Sequence, residues 1–197
     1  MIRAIDPEND SLVVRGLKHA GFLLEYPRSQ PRALRHARAL ANDSDNTHLN
    51  EFARWIESLD EGALDEAYAD TFEIGAKACL YAGFHIFGLA YKRGVLLVTL
   101  KSAQDAVGIR SESNEVADHL ALVLRLAAAY LAEGDPEGRG EALIEELVLP
   151  VTGRLAEGLP ENDYGLLIRG LDEWLKGRWT PYVWQLVEEE NDAHFLA

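Results

Sequence analysis

A chain of 197 residues, 48% apolar and 26% charged, suits one globular domain and carries too many core-forming side chains to be disordered. Its formal net charge of −14 argues against nucleic acid as the main partner, because neutralising phosphates requires clustered Lys and Arg, and it suits a cationic peptide segment better. The single cysteine, Cys79, excludes an internal disulfide and any multi-cysteine zinc or iron–sulfur centre built by this chain alone; among Ala78, Leu80 and Tyr81 it reads as a buried structural thiol.

The spacing of Leu12, Leu17, Ala20 and Leu24 predicts a first helix over about 10–25, ended by Pro27. A second helix is expected over 31–41, with the polar run Asn42 to Thr47 as a loop and cap. A third follows over 48–59, with Leu49, Phe52, Ile56 and Leu59 on one face. The spacing Ser58-Leu59-Asp60-Glu61 is that of a capping box, so a fourth helix is predicted to start near Glu61 and to break at Gly75. A short helix over 77–87 should end at Gly88. The next, over 91–107, turns Leu96, Leu97, Leu100, Ala103 and Val107 inward and stops at Gly108.

After a polar loop over 109–114, the stripe Val116, Leu120, Val123, Leu124, Ala127 and Leu131 predicts a helix over 115–132. Asp135-Pro136 should open the next one, with Pro150 kinking or dividing it before Gly158. Asn162 or Asp163 starts a helix to about Leu175, and Thr180-Pro181 starts a last one. No segment alternates in a way that demands a strand. The expected fold is all-α, a single-domain bundle of about nine or ten helices over residues 1–197, with its core in 10–175 and a C-terminal helix and tail in 176–197. No apolar run is long enough for a membrane span, and the acidic start MIRAIDPENDS lacks the apolar stretch of a signal peptide, so a cytoplasmic location is expected.

Candidate chemistry is sparse. The histidines at 19, 36, 48, 85, 119 and 194 have no close metal-ligand spacing, so no metal site is expected. His85, among Phe84, Ile86 and Phe87, reads as a satisfied packing histidine. Asp118-His119 stands at the head of an apolar helix, either as a cap or as an exposed hydrogen-bonding pair that meets a ligand. The Gly-rich run GDPEGRG, residues 134–140, lacks the Lys-Ser/Thr of a phosphate loop and follows no strand. Adjacent carboxylates such as Asp65-Glu66 and Glu145-Glu146 diverge around a helix and read as solvated faces. Tyr68, Phe72, Tyr81, Phe84 and Phe87 belong either to a core or to a groove. No catalytic constellation and no cofactor ligands emerge; a binding or scaffold protein is expected, not an enzyme.

The centre of the chain resembles the NarJ/TorD/DmsD family of molybdoenzyme maturation chaperones, most nearly its NarJ branch, the nitrate reductase delta subunits. The likeness rests on Leu23-Leu24-Glu25-Tyr26-Pro27, on LDEAYADTF from Leu64 to Phe72 followed by Glu73, on LYAGFHIFG from Leu80 to Gly88 followed by Arg93-Gly94 and Leu100, and on EVADHLALVL from Glu115 to Leu124. The segment Pro160 to Leu171, with Asp163-Tyr164, is weakly similar to a later family helix. Ala117 replaces the family's proline before Asp-His, and Arg125 stands where an acidic residue is usual.

The resemblance implies an all-helical cytoplasmic chaperone. It would bind the N-terminal or twin-arginine leader segment of a molybdenum-containing reductase, nitrate reductase-like, and hold it while molybdenum cofactor and iron–sulfur clusters are inserted. It would need no cofactor of its own and would be a monomer or weak dimer. On that reading Tyr68, Phe72, Tyr81, His85 and Phe87 line a client groove. Arg93, Asp118 and His119 stand at its mouth, with Asp118 accepting from a client Arg or amide, and the loop 109–116 opens to admit the client. The rival readings are a guanine-nucleotide-binding protein, which the missing phosphate loop disfavours, and another helical partner-binding regulator.

Overall fold

The computed structural model describes residues 7–73, 77–111 and 113–184, with side chains from Leu12 onward. The fold is all-α. Its helices are α1 (Pro7–Leu23), α2 (Gln30–Ser44), α3 (Thr47–Ser58), α4 (Ala63–Phe72), α5 (Ala82–Phe87), α6 (Tyr91–Ala106), α7 (Leu120–Ala132), α8 (Arg139–Leu143), α9 (Leu149–Gly158) and α10 (Asp163–Lys176). Among the described residues the only extended pairing is a single antiparallel bridge, Tyr81 to His119.

Most of these helices close into a ring. α1 packs on α7 and α2, α2 on α3, α3 on α10 and α10 on α9, while α8 returns to α7. The enclosed core holds Leu17, Leu40, Phe52, Leu124 and Leu167, each removed from water and each contributing roughly 1.5–3 kcal/mol by burial. α7 is buried all round rather than along one stripe, from Leu120 through Leu124 to Ala128, as befits a helix with a mean composition this apolar. Gly16 lets α1 lie against α10: a Cβ there would stand 2.4 Å from the Trp174 ring. α4 packs on α10 from outside the ring. α5 and α6 form an arm attached mainly through α7 and the turn before α9.

Several predicted boundaries move, each for a local reason. α1 ends at Leu23, four residues before Pro27, and Asn42 to Ser44 are helical because Asp45, in the left-handed region at φ 50°, closes α2 with its amide bonded to Ala41 O. Asn46 then caps α3 by accepting from Leu49 N. The capping box at Ser58 does not form; Gly62, at φ 86°, precedes α4 instead. Residues 77–81 are not helical, and neither are the described residues of 113–119, because the Tyr81–His119 bridge holds both segments extended. Val116 is therefore exposed instead of joining the α7 stripe.

Asp135 does cap a helix, but from a distance. Its Oδ2 accepts from Gly140 N and Glu141 N across the turn, so α8 begins after Gly138 and not at Pro136. Pro150 neither kinks nor divides the following rod: a π-helical turn, Ile144–Val148, absorbs the strain just ahead of it. Residues 181–184 are not helical; Gly75 and the rest of the predicted last helix lie outside the described residues. No helix among the described residues is long and apolar enough to cross a membrane.

Candidate functional site

The bridge that shortens α5 and α7 also builds the most connected polar cluster of the molecule. Ala82 N donates to Asp118 O and Leu120 N to Leu80 O, each at 2.8 Å, which pins the start of α5 to the start of α7. Asp118 is then driven inward, its side chain wholly buried. A buried carboxylate needs a partner, and Arg93 of α6 supplies one, with Nε to Oδ2 at 2.9 Å and Nη2 to Oδ1 at 3.4 Å. That bond raises the Arg93 guanidinium further above its ordinary value, so the pair is charged at any physiological pH. Gly83 makes room for it: a Cβ there would lie 2.8 Å from Asp118 Oδ2 and from Leu96 Cδ2.

His119 is the N-cap of α7, its Nδ1 accepting from Ala121 N at 3.3 Å. Burial lowers its basicity, against the opposing pull of Glu115 and Asp118. The ring therefore stays neutral, with its proton on Nε2, and meets Tyr81 edge-on at 5.5 Å. Tyr81 donates to Glu115 Oε2 at 2.8 Å, and burial together with that bond pushes its phenol up to about 12. Gln104 Nε2 donates to Ala117 O at 2.8 Å, and Ser111 Oγ accepts from the amides of Ser113 and Glu115. The loop expected to open is thus tied to α6 and to its own backbone.

These observations reorder the predicted site. Tyr81, Arg93, Asp118 and His119 do assemble, but as an internal clamp and not as a mouth. Asp118 and His119 are buried, and the arginine that Asp118 accepts from is the chain's own Arg93. His85 is half-buried, its Nε2 2.7 Å from Cys79 O, while its carbonyl accepts from Arg154. Cys79 is itself half-buried, not the fully enclosed thiol expected. Phe87 closes α5 against Trp184 at 5.3 Å.

Tyr68 and Phe72 stand elsewhere. They belong to an aromatic core around Tyr164 of α10, with rings 5.5 and 5.2 Å from it, shared with Phe52 and Trp55 of α3. Tyr68 donates to Leu24 O at 3.0 Å, and burial raises its phenol far out of the titrating range.

A feature that the sequence reading passed over lies on the far side of the clamp. The outer face of α5 and α6 exposes Phe84, Leu89, Tyr91, Val95 and Val98, with Leu89 88% and Val98 72% accessible. Arg93 holds this face from below, its guanidinium 5.9 Å from the Phe84 ring and 5.8 Å from that of Tyr81. The signal was legible: α6 buries Leu96, Leu100 and Gln104, so Tyr91, Val95 and Val98 fall on its opposite side.

Nothing in this arrangement is poised for chemistry. Among the described residues no three His, Cys, Asp or Glu side chains gather where a metal could be held. The Gly-rich turn at 134–140 is closed to a phosphate, because Asp135 already accepts the amides of Gly140 and Glu141. What the cluster can do is present an apolar surface on a rigid polar footing.

Comparison with known proteins adds the family. Residues 39–155 match the family described as nitrate reductase delta subunit. The "Probable nitrate reductase molybdenum cofactor assembly chaperone NarJ" of Bacillus subtilis (strain 168) is 31% identical over 146 residues, 72% of this chain and 76% of the relative.

Proposed function

Because this chain belongs to the nitrate reductase delta subunit family, we propose that it is a NarJ-like maturation chaperone for a nitrate reductase-type molybdoenzyme, acting in the cytoplasm as one domain. It assists molybdenum cofactor assembly by binding the catalytic subunit and does not itself catalyse. The segment it binds is the client's N-terminal or leader stretch, and it holds that client while molybdenum cofactor and iron–sulfur clusters are inserted.

The observation that carries this reading is the exposed apolar face of α5 and α6. A contiguous apolar surface that water must otherwise cover marks an interaction site. An amphipathic client segment laid along α6 would bury its apolar residues on Leu89, Tyr91, Val95 and Val98. Basic residues of the segment gain from the acidic surround of a chain with net charge −14. In this reading Tyr81, His85, Phe87, Arg93, Asp118 and His119 act through the face they hold, and Tyr68 and Phe72 act through the core beneath α4.

Calorimetry with a synthetic N-terminal peptide of the client tests it. Val95→Asp with Val98→Asp should weaken binding about tenfold or more, since two apolar contacts are replaced by charges that must be desolvated. Unchanged affinity in a folded double variant would remove α6 from the site.

A further inference from the structure

The charges of this acidic protein are segregated. From Glu57 to Glu73 there are seven acids and no Lys or Arg. From Arg15 to Arg38 the balance reverses: Arg15, Lys18, Arg28, Arg32, Arg35 and Arg38 stand against one acid, Glu25. That acid is buried and bonded to Arg125 of α7, Oε1 to Nη1 at 2.9 Å, so it does not oppose the surface charge.

The fold gathers these cations on one side. α1 and α2 pack together with His19 Nδ1 2.9 Å from His36 Nδ1. Arg32 and Arg35, three residues apart, share a face of α2. The Phe22 ring anchors the group: the Arg32 guanidinium lies 5.0 Å from it, that of Arg125 5.3 Å, and His36 stacks on it at 4.6 Å. Below them the motif Leu23 to Pro27, which the client-binding account does not use, walls a shallow hollow of about 40 Å³ with Tyr26, Arg28, Ser29 and Arg32 at its sides. Ser29 makes no side-chain capping bond, so the positive end of α2 also faces this region.

We propose that the α1–α2 face binds an acidic polypeptide segment, a second partner surface distinct from the apolar face of α5 and α6. Guanidinium groups held by stacking are pre-organised for carboxylates, which they meet with paired hydrogen bonds. The net charge of the whole chain repels acidic partners everywhere else, so this face also fixes the orientation of approach. The assignment stands independently of where the client docks.

The test is calorimetry on the full chain with a short blocked peptide of alternating Glu and Ala, its Gln–Ala counterpart, and a single-stranded oligonucleotide. The Glu peptide should bind and the Gln peptide should not, with affinity falling as salt is raised from roughly 50 to 300 mM. Arg28→Glu with Arg35→Glu should weaken the Glu peptide about tenfold, whereas Lys92→Glu with Lys101→Glu on α6 should leave it within about twofold. If the reversal variant does not fold by circular dichroism, Arg28→Gln with Arg35→Gln replaces it and should show a smaller loss in the same direction. Three results would overturn the proposal: no binding of the Glu peptide at low salt, equal loss in the α6 control, or tighter binding of the oligonucleotide through the same arginines.

Discussion

The ring of helices and the α5–α6 arm use the same residue types to opposite ends. In the ring, apolar side chains meet each other: α7 is buried on every side and Gly16 is stripped bare so that Trp174 can fit. In the arm, α6 buries Leu96 and Leu100 but leaves Tyr91, Val95 and Val98 in water. The arm compensates with polar fastenings that the ring hardly needs, Arg93 to Asp118 and Gln104 to Ala117 O. A ring held by packing is stable without a partner. An arm held by a charged clamp stays rigid while offering an apolar surface that something else must cover.

This contrast can be broken at several points. The largest effect on stability is expected in the ring. Leu17→Ala, at a fully buried position of α1, should cost about 3 kcal/mol in urea unfolding while client affinity of the folded protein is unchanged. Next comes the clamp. Asp118→Ala leaves Arg93 without its carboxylate and should cost about 2 kcal/mol, with hydrogen exchange faster in α5 and α6 but not in α1 or α10. A global loss of protection would make the arm an ordinary part of the core.

A smaller effect concerns acid. Burial first, then the charges of His19, Arg32 and Arg35, lowers His36 from 6.5 to about 4, and His19 is lowered by burial as well. The unfolded chain thus binds these protons more readily than the folded one. The stability they confer is complete above pH 6.5 and is lost as pH falls toward 4, and His36→Gln should flatten that part of the urea-midpoint profile. The smallest effect on stability belongs to the outer face of α6. Val95→Asp with Val98→Asp should leave the urea midpoint within about 0.5 kcal/mol of the parent, because these side chains contact mostly solvent.

Sequence periodicity read the ring well, because Leu17, Phe52, Ile56, Leu124 and Leu171 recur at helical spacing and burial follows spacing. It misread the ends of helices where a distant group decides them: Asp135 capping Gly140 across a turn, or the Tyr81–His119 bridge unwinding residues 77–81. The pair Asp118-His119 stood out in sequence, and the capping half of its reading holds for His119. Its partner Arg93, 25 residues away, could be identified only in three dimensions. The aromatic residues expected to share one groove divide between two places, Tyr68 and Phe72 around Tyr164 and Tyr81 beside His119, because α4 follows α10 while α5 follows α7.

The most direct test of the account is hydrogen exchange on the full chain with and without the client's N-terminal peptide. Protection on binding should concentrate in residues 84–98, along the outer face of α5 and α6, with α3 and α4 unchanged. Protection centred instead on α4 around Tyr68 and Phe72, with α6 unaffected, would contradict it.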